Sequence, residues 1–231
     1  TLLERYRNHH LVFNDDIQGT ATTVLGGIYG YLAATGQKPS DITKQRIVVA
    51  GAGSAGMGVV SHLAKGMQSH GLSESEARGN FWILDVDGLV TTERRGLPDF
   101  VAPFARADSL MQEGRSLLDV IKSCKPTILI GLSTVGGLFR EQHLRTMSAQ
   151  VDRPLVMPLS NPTSRLECTA EQCAQWTSGK AIYAAGSPQP SAEYQGRTIM
   201  SSQANNLYIF PGLALGSCIG MTKVITDNML M

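Results

Sequence analysis

From Arg46 to Gly71 the chain reads "RIVVAGAGSAGMGVVSHLAKGMQSHG". A short β-branched run meets Gly51-Ala52-Gly53-Ser54-Ala55-Gly56, and Val59, Val60, Leu63, Ala64 and Met67 then recur at helical spacing. Strand, tight turn and helix are therefore adjacent, which restricts the possible folds sharply. The three glycines do different things. The first permits the turn, the second admits a pyrophosphate close to the backbone, and the third lets helix pack on strand. The helix start would offer free N–H groups and a positive dipole end to the phosphates. Residues 51–56 are thus candidate cofactor contacts: Gly51, Ala52, Gly53, Ser54, Ala55 and Gly56. A close-packed turn that holds no ligand is the alternative.

The same alternation continues. "FWILDVDG" reads as a second strand ending at Asp85, after a short helix with a Ser73/Glu76 capping box. "SLLDVIKSCKPTILIG" gives a helix and a third strand at residues 127–130, followed by the loop "GLSTVGGLF", which either approaches a cofactor or merely turns. "RPLVMPLSNPTS" and "KAIYAAGSPQP" each read as a strand ending in a polar loop, with a Thr169/Gln172 capping box between them. Upstream, "ATTVLGGIYGYLAATG" has helical periodicity closed by Gly36. Strands alternating with helices predict an α/β fold: a Rossmann-type doubly wound, mostly parallel sheet with helices on both faces. With 42% hydrophobic and 17% charged residues, the 231-residue chain can bury such a core. The expected division is a helical segment over 1–36 and a dinucleotide-binding domain over 37–231, linked near residues 37–44.

Asp85 ends the second strand, where a carboxylate can accept from both hydroxyls of an adenosine ribose. It disfavours a ribose 2′-phosphate by repulsion, so NAD is expected over NADP unless Arg94 or Arg95 folds back. The net charge of +1, with no basic run longer than Arg94-Arg95, leaves no footprint for nucleic acid or an acidic membrane. No apolar run approaches a membrane span, and the chain reads as cytoplasmic. Cys124, Cys168, Cys173 and Cys218 form no Cys-x-x-Cys pair, which fits a reducing compartment. His9-His10 reads as a helical pair whose side chains diverge, not as a metal site. His62, His70 and His143 read as surface or helix-end residues, and Met57, Met67 and Met221 as core filler. The chain starts at Thr1 without an initiator Met, and a piece of a longer polypeptide is expected.

The stretch "FNDDIQGTA" places Asp15 and Asp16 side by side, an arrangement that repels unless water, a cation or a basic partner offsets it. An exposed loop with an Asp cap is the plain reading. Taken with "GAGSAG", "PLSNPTS", "GSP" and "NNLYIFPG" in this order, the chain resembles the malic enzymes, and most closely the bacterial NAD-linked form. The resemblance implies oxidative decarboxylation of L-malate to pyruvate and carbon dioxide with reduction of NAD. It implies that Asp16 ligates Mg²⁺ or Mn²⁺, a hard cation suited to carboxylates, while Asp15 lies beside a catalytic lysine.

It further implies that Asn161, Asn205 and Asn206 bind malate, since an Asn amide donates to a carboxylate and accepts from a hydroxyl. The family's catalytic lysine and tyrosine, malate-binding arginine and Glu-Asp metal pair would lie upstream of this chain. A homo-oligomer, dimer or tetramer, is expected for the full-length protein, and the isolated chain should bind NAD without oxidising malate. Where many relatives have Gly-Ser-Pro-Phe, this chain has Gln189 after Pro188. A malolactic enzyme and a non-catalytic NAD-binding module are the rival readings.

Overall fold

The computed structural model describes residues 2–107 and 112–231. A short helix α1 (Leu2–Tyr6) leads to a π-helical turn, Asp15–Gly19, that runs directly into α2 (Thr20–Ala34). Asp15 and Asp16 therefore open a helix instead of lying in a loop. The cap is Asn14, whose side chain accepts from Ile17 N–H at 3.0 Å. Gly36 takes the left-handed conformation (φ +73°) just past the end of α2, as its position requires. The segment 37–44 is no open linker: Pro39–Lys44 forms a 3₁₀ helix that buries Ile42.

Strand β1 (Ile47–Ala50) feeds α3 (Ser54–Ser69) through the glycine turn, and α4 (Glu74–Gly79) leads to β2 (Phe81–Asp85). The Ser73/Glu76 capping box is present, with Ser73 N–H on Glu76 at 2.8 Å. A hairpin returns through β3 (Gly88–Leu89), antiparallel to β2. Then come α5 (Leu117–Cys124), β4 (Ile128–Gly131), α6 (Glu141–Gln150), β5 (Leu155–Pro158), α7 (Ala170–Trp176) and β6 (Ile182–Ala185). The third expected strand thus sits one residue further on. Thr169 and Gln172 cap α7 as anticipated.

The remaining elements were not anticipated. They are the hairpin β7 (Ala192–Tyr194) and β8 (Arg197–Ile199), the edge strand β9 (Ser201–Gln203) and α8 (Phe210–Ile219). The polar Ser-Ser-Gln of β9 shows no strand alternation. It joins the sheet through backbone pairing with β6 alone.

The seven-stranded sheet runs β3-β2-β1-β4-β5-β6-β9 and is parallel except for β3. Alternate side chains separate the two faces. Ile47, Val49, Ile83 and Ile130 pack with α2 and α3, including Val24, Leu25, Ile28 and Leu63. Val48, Ala50, Leu84 and Leu129 pack on the other face with Val120, Leu144 and Cys173 of α5, α6 and α7. The chain builds β2 on one side of β1 and β4 on the other, so the order reverses between β1 and β4. Doubly wound sheets open their ligand crevice at this point.

Two plain readings are corrected. His62 and His143 are buried, not at the surface, although His143 does sit in the first turn of a helix. Met57 and Met67 are core, but Met221 is 85% exposed. His9 and His10 lie beyond the end of α1 and are exposed.

Candidate functional site: the carboxyl edge of the sheet

The glycine turn lies at the reversal point. Gly51 N–H donates to Leu84 O at 2.8 Å, Leu132 N–H donates to Ala50 O at 2.8 Å, and Gly51 has φ +132°. A Cβ on Gly51 would fall closer than 3.0 Å to the Leu132 carbonyl, so the loops after β1 and β4 touch only because this residue is glycine. Gly56 is pressed in the same way against the Gly51 carbonyl, whereas a Cβ on Gly53 would meet nothing within 4 Å. The open side of Gly53 faces a cavity of about 890 Å³. Gly51, Ala52, Gly53, Asp85, Ser133 and Thr134 are among the residues that line it. The loop "GLSTVGGLF" therefore does reach the crevice. Ser54, Ala55 and Gly56 lie outside that lining and form the first turn of α3.

Asp85 is not alone at the end of β2. Arg94, with its side chain only 14% exposed, pairs with both Asp85 and Glu113 and donates to Leu89 O at 3.2 Å. Glu113 also accepts from Thr91 N–H and Oγ, each at 2.8 Å. Burial alone would raise the Glu113 carboxyl, but the Thr91 and Arg94 donors outweigh it and hold it below the usual carboxylate range. Of the two arginines, Arg94 folds back and Arg95 stays exposed. One guanidinium shared by two carboxylates reduces the repulsion that Asp85 would offer a 2′-phosphate without cancelling it. Glu113 was missed in the sequence because nothing local links it to a carboxylate 28 residues earlier.

At the far end of the same edge, hydrogen bonds hold Asn161, Asn205, Asn206 and Asp15, and one of them links two of these residues directly. Ser187 Oγ donates to Asn161 Oδ1 at 2.7 Å, and Asn205 Nδ2 donates to Gly186 O at 2.9 Å. Asn206 Nδ2 donates to Asp15 Oδ2 at 2.6 Å, across 191 residues of sequence. Asn205 Oδ1 is occupied by Leu207 N–H at 2.9 Å, so this amide is largely spent on backbone. Gly19 leaves room for Asp15, since a Cβ there would collide with the carboxylate.

Burial, and then the charge of Asp16, push the Asp15 carboxyl above its ordinary range, partly offset by the Asn206 amide. Asp15 Oδ1 is buried with no hydrogen-bond partner, while Asp16 is exposed. Among the described residues no three His, Cys, Asp or Glu side chains cluster for a metal ion. The unpartnered oxygen of Asp15 and the free carboxylate of Asp16 are hard donors that fit a divalent cation as part of a ligand set, not as the whole of it.

Residues 17–231 match the family described as "Malic enzyme, NAD binding domain". The chain is 45% identical over 231 residues to a NADP-dependent malic enzyme of Dictyostelium discoideum, covering 100% of this chain and 42% of the relative. It is 43% identical to an NAD-dependent malic enzyme of Acinetobacter baylyi, covering 100% of this chain and 41% of that one. The chain thus spans about two fifths of the length of these curated relatives. The malic enzyme structure from Pyrococcus horikoshii superposes with a TM-score of 0.75 at 25% identity, over 99% of this chain and 48% of that one. Glycine turn, sheet order and family match agree, and the chain belongs to the malic enzyme family as its NAD-binding domain.

Proposed function

We propose that the full-length protein oxidises and decarboxylates L-malate to pyruvate and carbon dioxide with NAD and a divalent cation, Mg²⁺ or Mn²⁺. The observation that carries this reading is the contact between Asn206 and Asp15. It unites two motifs from opposite ends of the chain at the sheet edge that also holds the dinucleotide crevice. In this reading the N–H groups of residues 51–56 hold the pyrophosphate and Asp85 the adenosine ribose. Asn161 and Asn206 orient malate, and Asn205 keeps their loops in register through its backbone contacts. Asp15 keeps a buried acceptor directed at the reacting region, and Asp16 contributes a cation ligand. When bound, the cation would supply positive charge to the substrate oxygens, and NAD would accept the hydride. Proton transfers fall to residues outside this chain.

The same reading assigns residues 37–231 to dinucleotide binding and 1–36 to a helical segment carrying the acid pair. It takes the protein as a cytoplasmic homo-oligomer, dimer or tetramer. Among the described residues no helix is long and apolar enough to cross a membrane. Light scattering on the purified full-length protein decides the assembly. The activity test supplies that protein with L-malate, NAD and Mn²⁺ and follows NADH and pyruvate. Equal amounts of both are expected. Lactate without net NADH would replace this reading with a malolactic one, and nucleotide binding without turnover would leave a non-catalytic module.

A further inference from the structure

Glu167 is fully buried, and the reaction proposed for the full-length protein makes no use of it. It stands beneath the carboxyl ends of β4 and β5. Its Oε1 accepts from Ser160 Oγ at 2.5 Å, from Ser133 Oγ at 3.1 Å and from Ser133 N–H at 3.3 Å. Its Oε2 accepts from Ser160 N–H at 3.4 Å. Two hydroxyls and two backbone N–H groups thus converge on the carboxyl, and an amide in its place would turn an N–H₂ group toward a backbone N–H. Each serine is used twice, because Ser133 Oγ accepts from Val135 N–H at 3.2 Å and Ser160 Oγ from Thr134 N–H at 2.9 Å. Gly131 makes the space: a Cβ there would lie 2.7 Å from Glu167 Oε1.

The two loops so joined have different duties. Ser133, Thr134 and Val135 line the dinucleotide cavity, whereas Ser160 does not and is followed by Asn161. Thr134 has φ +58°, an unfavourable conformation for a β-branched residue that persists only where the surroundings over-determine it. The bonds from Thr134 N–H to Ser160 and from Ser160 and Ser133 to Glu167 supply that determination. We propose that Glu167 is a positioning residue, whose buried carboxylate clamps the cofactor loop at 133–135 to the Ser160-Asn161 loop. The proposal rests on reading the crevice as the dinucleotide site. The clamp holds Ser133 and Thr134 in the shape that receives the cofactor, and it keeps Asn161 at a constant distance from it.

The test is NADH titration by fluorescence on the full chain, for wild type, Glu167→Gln and Ser160→Ala. Melting temperature and near-UV circular dichroism are measured alongside. Glu167→Gln is close in shape but turns an N–H₂ group toward donors, so at least one serine loses its acceptor. Ser160→Ala removes one hydroxyl that does not face the cavity. In material with native near-UV signal, both variants should raise the NADH Kd, by about tenfold for Gln and about three- to tenfold for Ala, the loss of one or two hydrogen bonds. A purely structural carboxylate would lower the melting temperature and leave Kd unchanged. Wild-type Kd in either folded variant overturns the proposal, and if Glu167→Gln does not fold the decision rests on Ser160→Ala. A wild-type chain that fails to bind NADH overturns the dinucleotide reading itself, and the clamp with it.

Discussion

Gly53 and Gly56 belong to one motif, yet the structure separates their duties, so replacing each with alanine should fail in different ways. A Cβ on Gly53 meets nothing within 4 Å, and its backbone is extended (φ −74°, ψ 178°). Alanine is a poorer N-cap than glycine by roughly 0.5–1 kcal/mol. The reduced freedom of the unfolded chain returns about 0.4–1 kcal/mol. The two nearly cancel, and Gly53→Ala should melt within about 2 °C of wild type. Its methyl group would instead occupy the space a pyrophosphate needs. Loss of one charge-assisted hydrogen bond, about 1.5–3 kcal/mol, weakens NADH binding roughly 10- to 100-fold.

At Gly56 the Cβ would strike the Gly51 carbonyl, which is backbone and cannot swing aside. Helix propensity favours alanine by up to about 1 kcal/mol, but overpacking costs about 1–3 kcal/mol. A net loss of about 1–2 kcal/mol lowers the melting temperature by roughly 2–8 °C in a domain of this size. Thermal melts by circular dichroism and NADH titrations measure both quantities on both variants. The reasoning is refuted if Gly53→Ala melts as low as Gly56→Ala while binding NADH as wild type does.

Three further outcomes follow from the charged groups. Asp85→Asn should weaken NAD binding several-fold, and Glu113→Gln, by loosening Arg94, should tighten NADP binding about three- to tenfold and narrow the proposed preference for NAD; unchanged Kd values for both nucleotides would count against the Asp85–Arg94–Glu113 arrangement. Asn206→Ala removes the donor that lowers Asp15, so the Asp15 carboxyl should titrate still higher in a carbon-detected NMR titration. Because its folded value is raised, the stability it contributes is present at low pH and is lost as pH rises through the folded value, more steeply in the variant. His62 is the opposite case: burial, offset in part by the Leu230 carbonyl at 3.0 Å and the Asp227 charge, holds its pKa below the ordinary value. Its contribution is therefore present above the usual histidine pKa of about 6.5 and lost as pH falls through the lower folded value. His62→Gln should flatten that acid limb in urea melts run at several pH values; an unchanged limb would assign it to other groups.

What the sequence determined by itself was local. The turn at 51–56 was legible because its three glycines, the strand before it and the helical stripe after it lie within one short stretch. The capping boxes at Ser73 and Thr169 were legible for the same reason, each needing only residues three apart. The position of Asp85 was legible because it ends a strand of recognisable composition. Asp15, Asp16 and the asparagines needed the resemblance, since two acids or an Asn-Asn pair alone read as caps and turns.

Only the tertiary structure decided which charges are compensated and which polar groups are enclosed. Arg94 could have stayed in solvent like Arg95 until the pairing of residues 114–115 with Leu89 brought Glu113 beside it. Glu167 in "RLECTAEQ" carries no signal of burial; the parallel crossover from β4 to β5 encloses it by laying two serine-bearing loops over one carboxylate. His62 falls on the apolar stripe of α3, yet its burial depends on the segment around Leu230, 168 residues away. Spacing along a helix or strand encodes which way a side chain points. The partner it meets there is set by chain closure over tens to hundreds of residues, which no local pattern records.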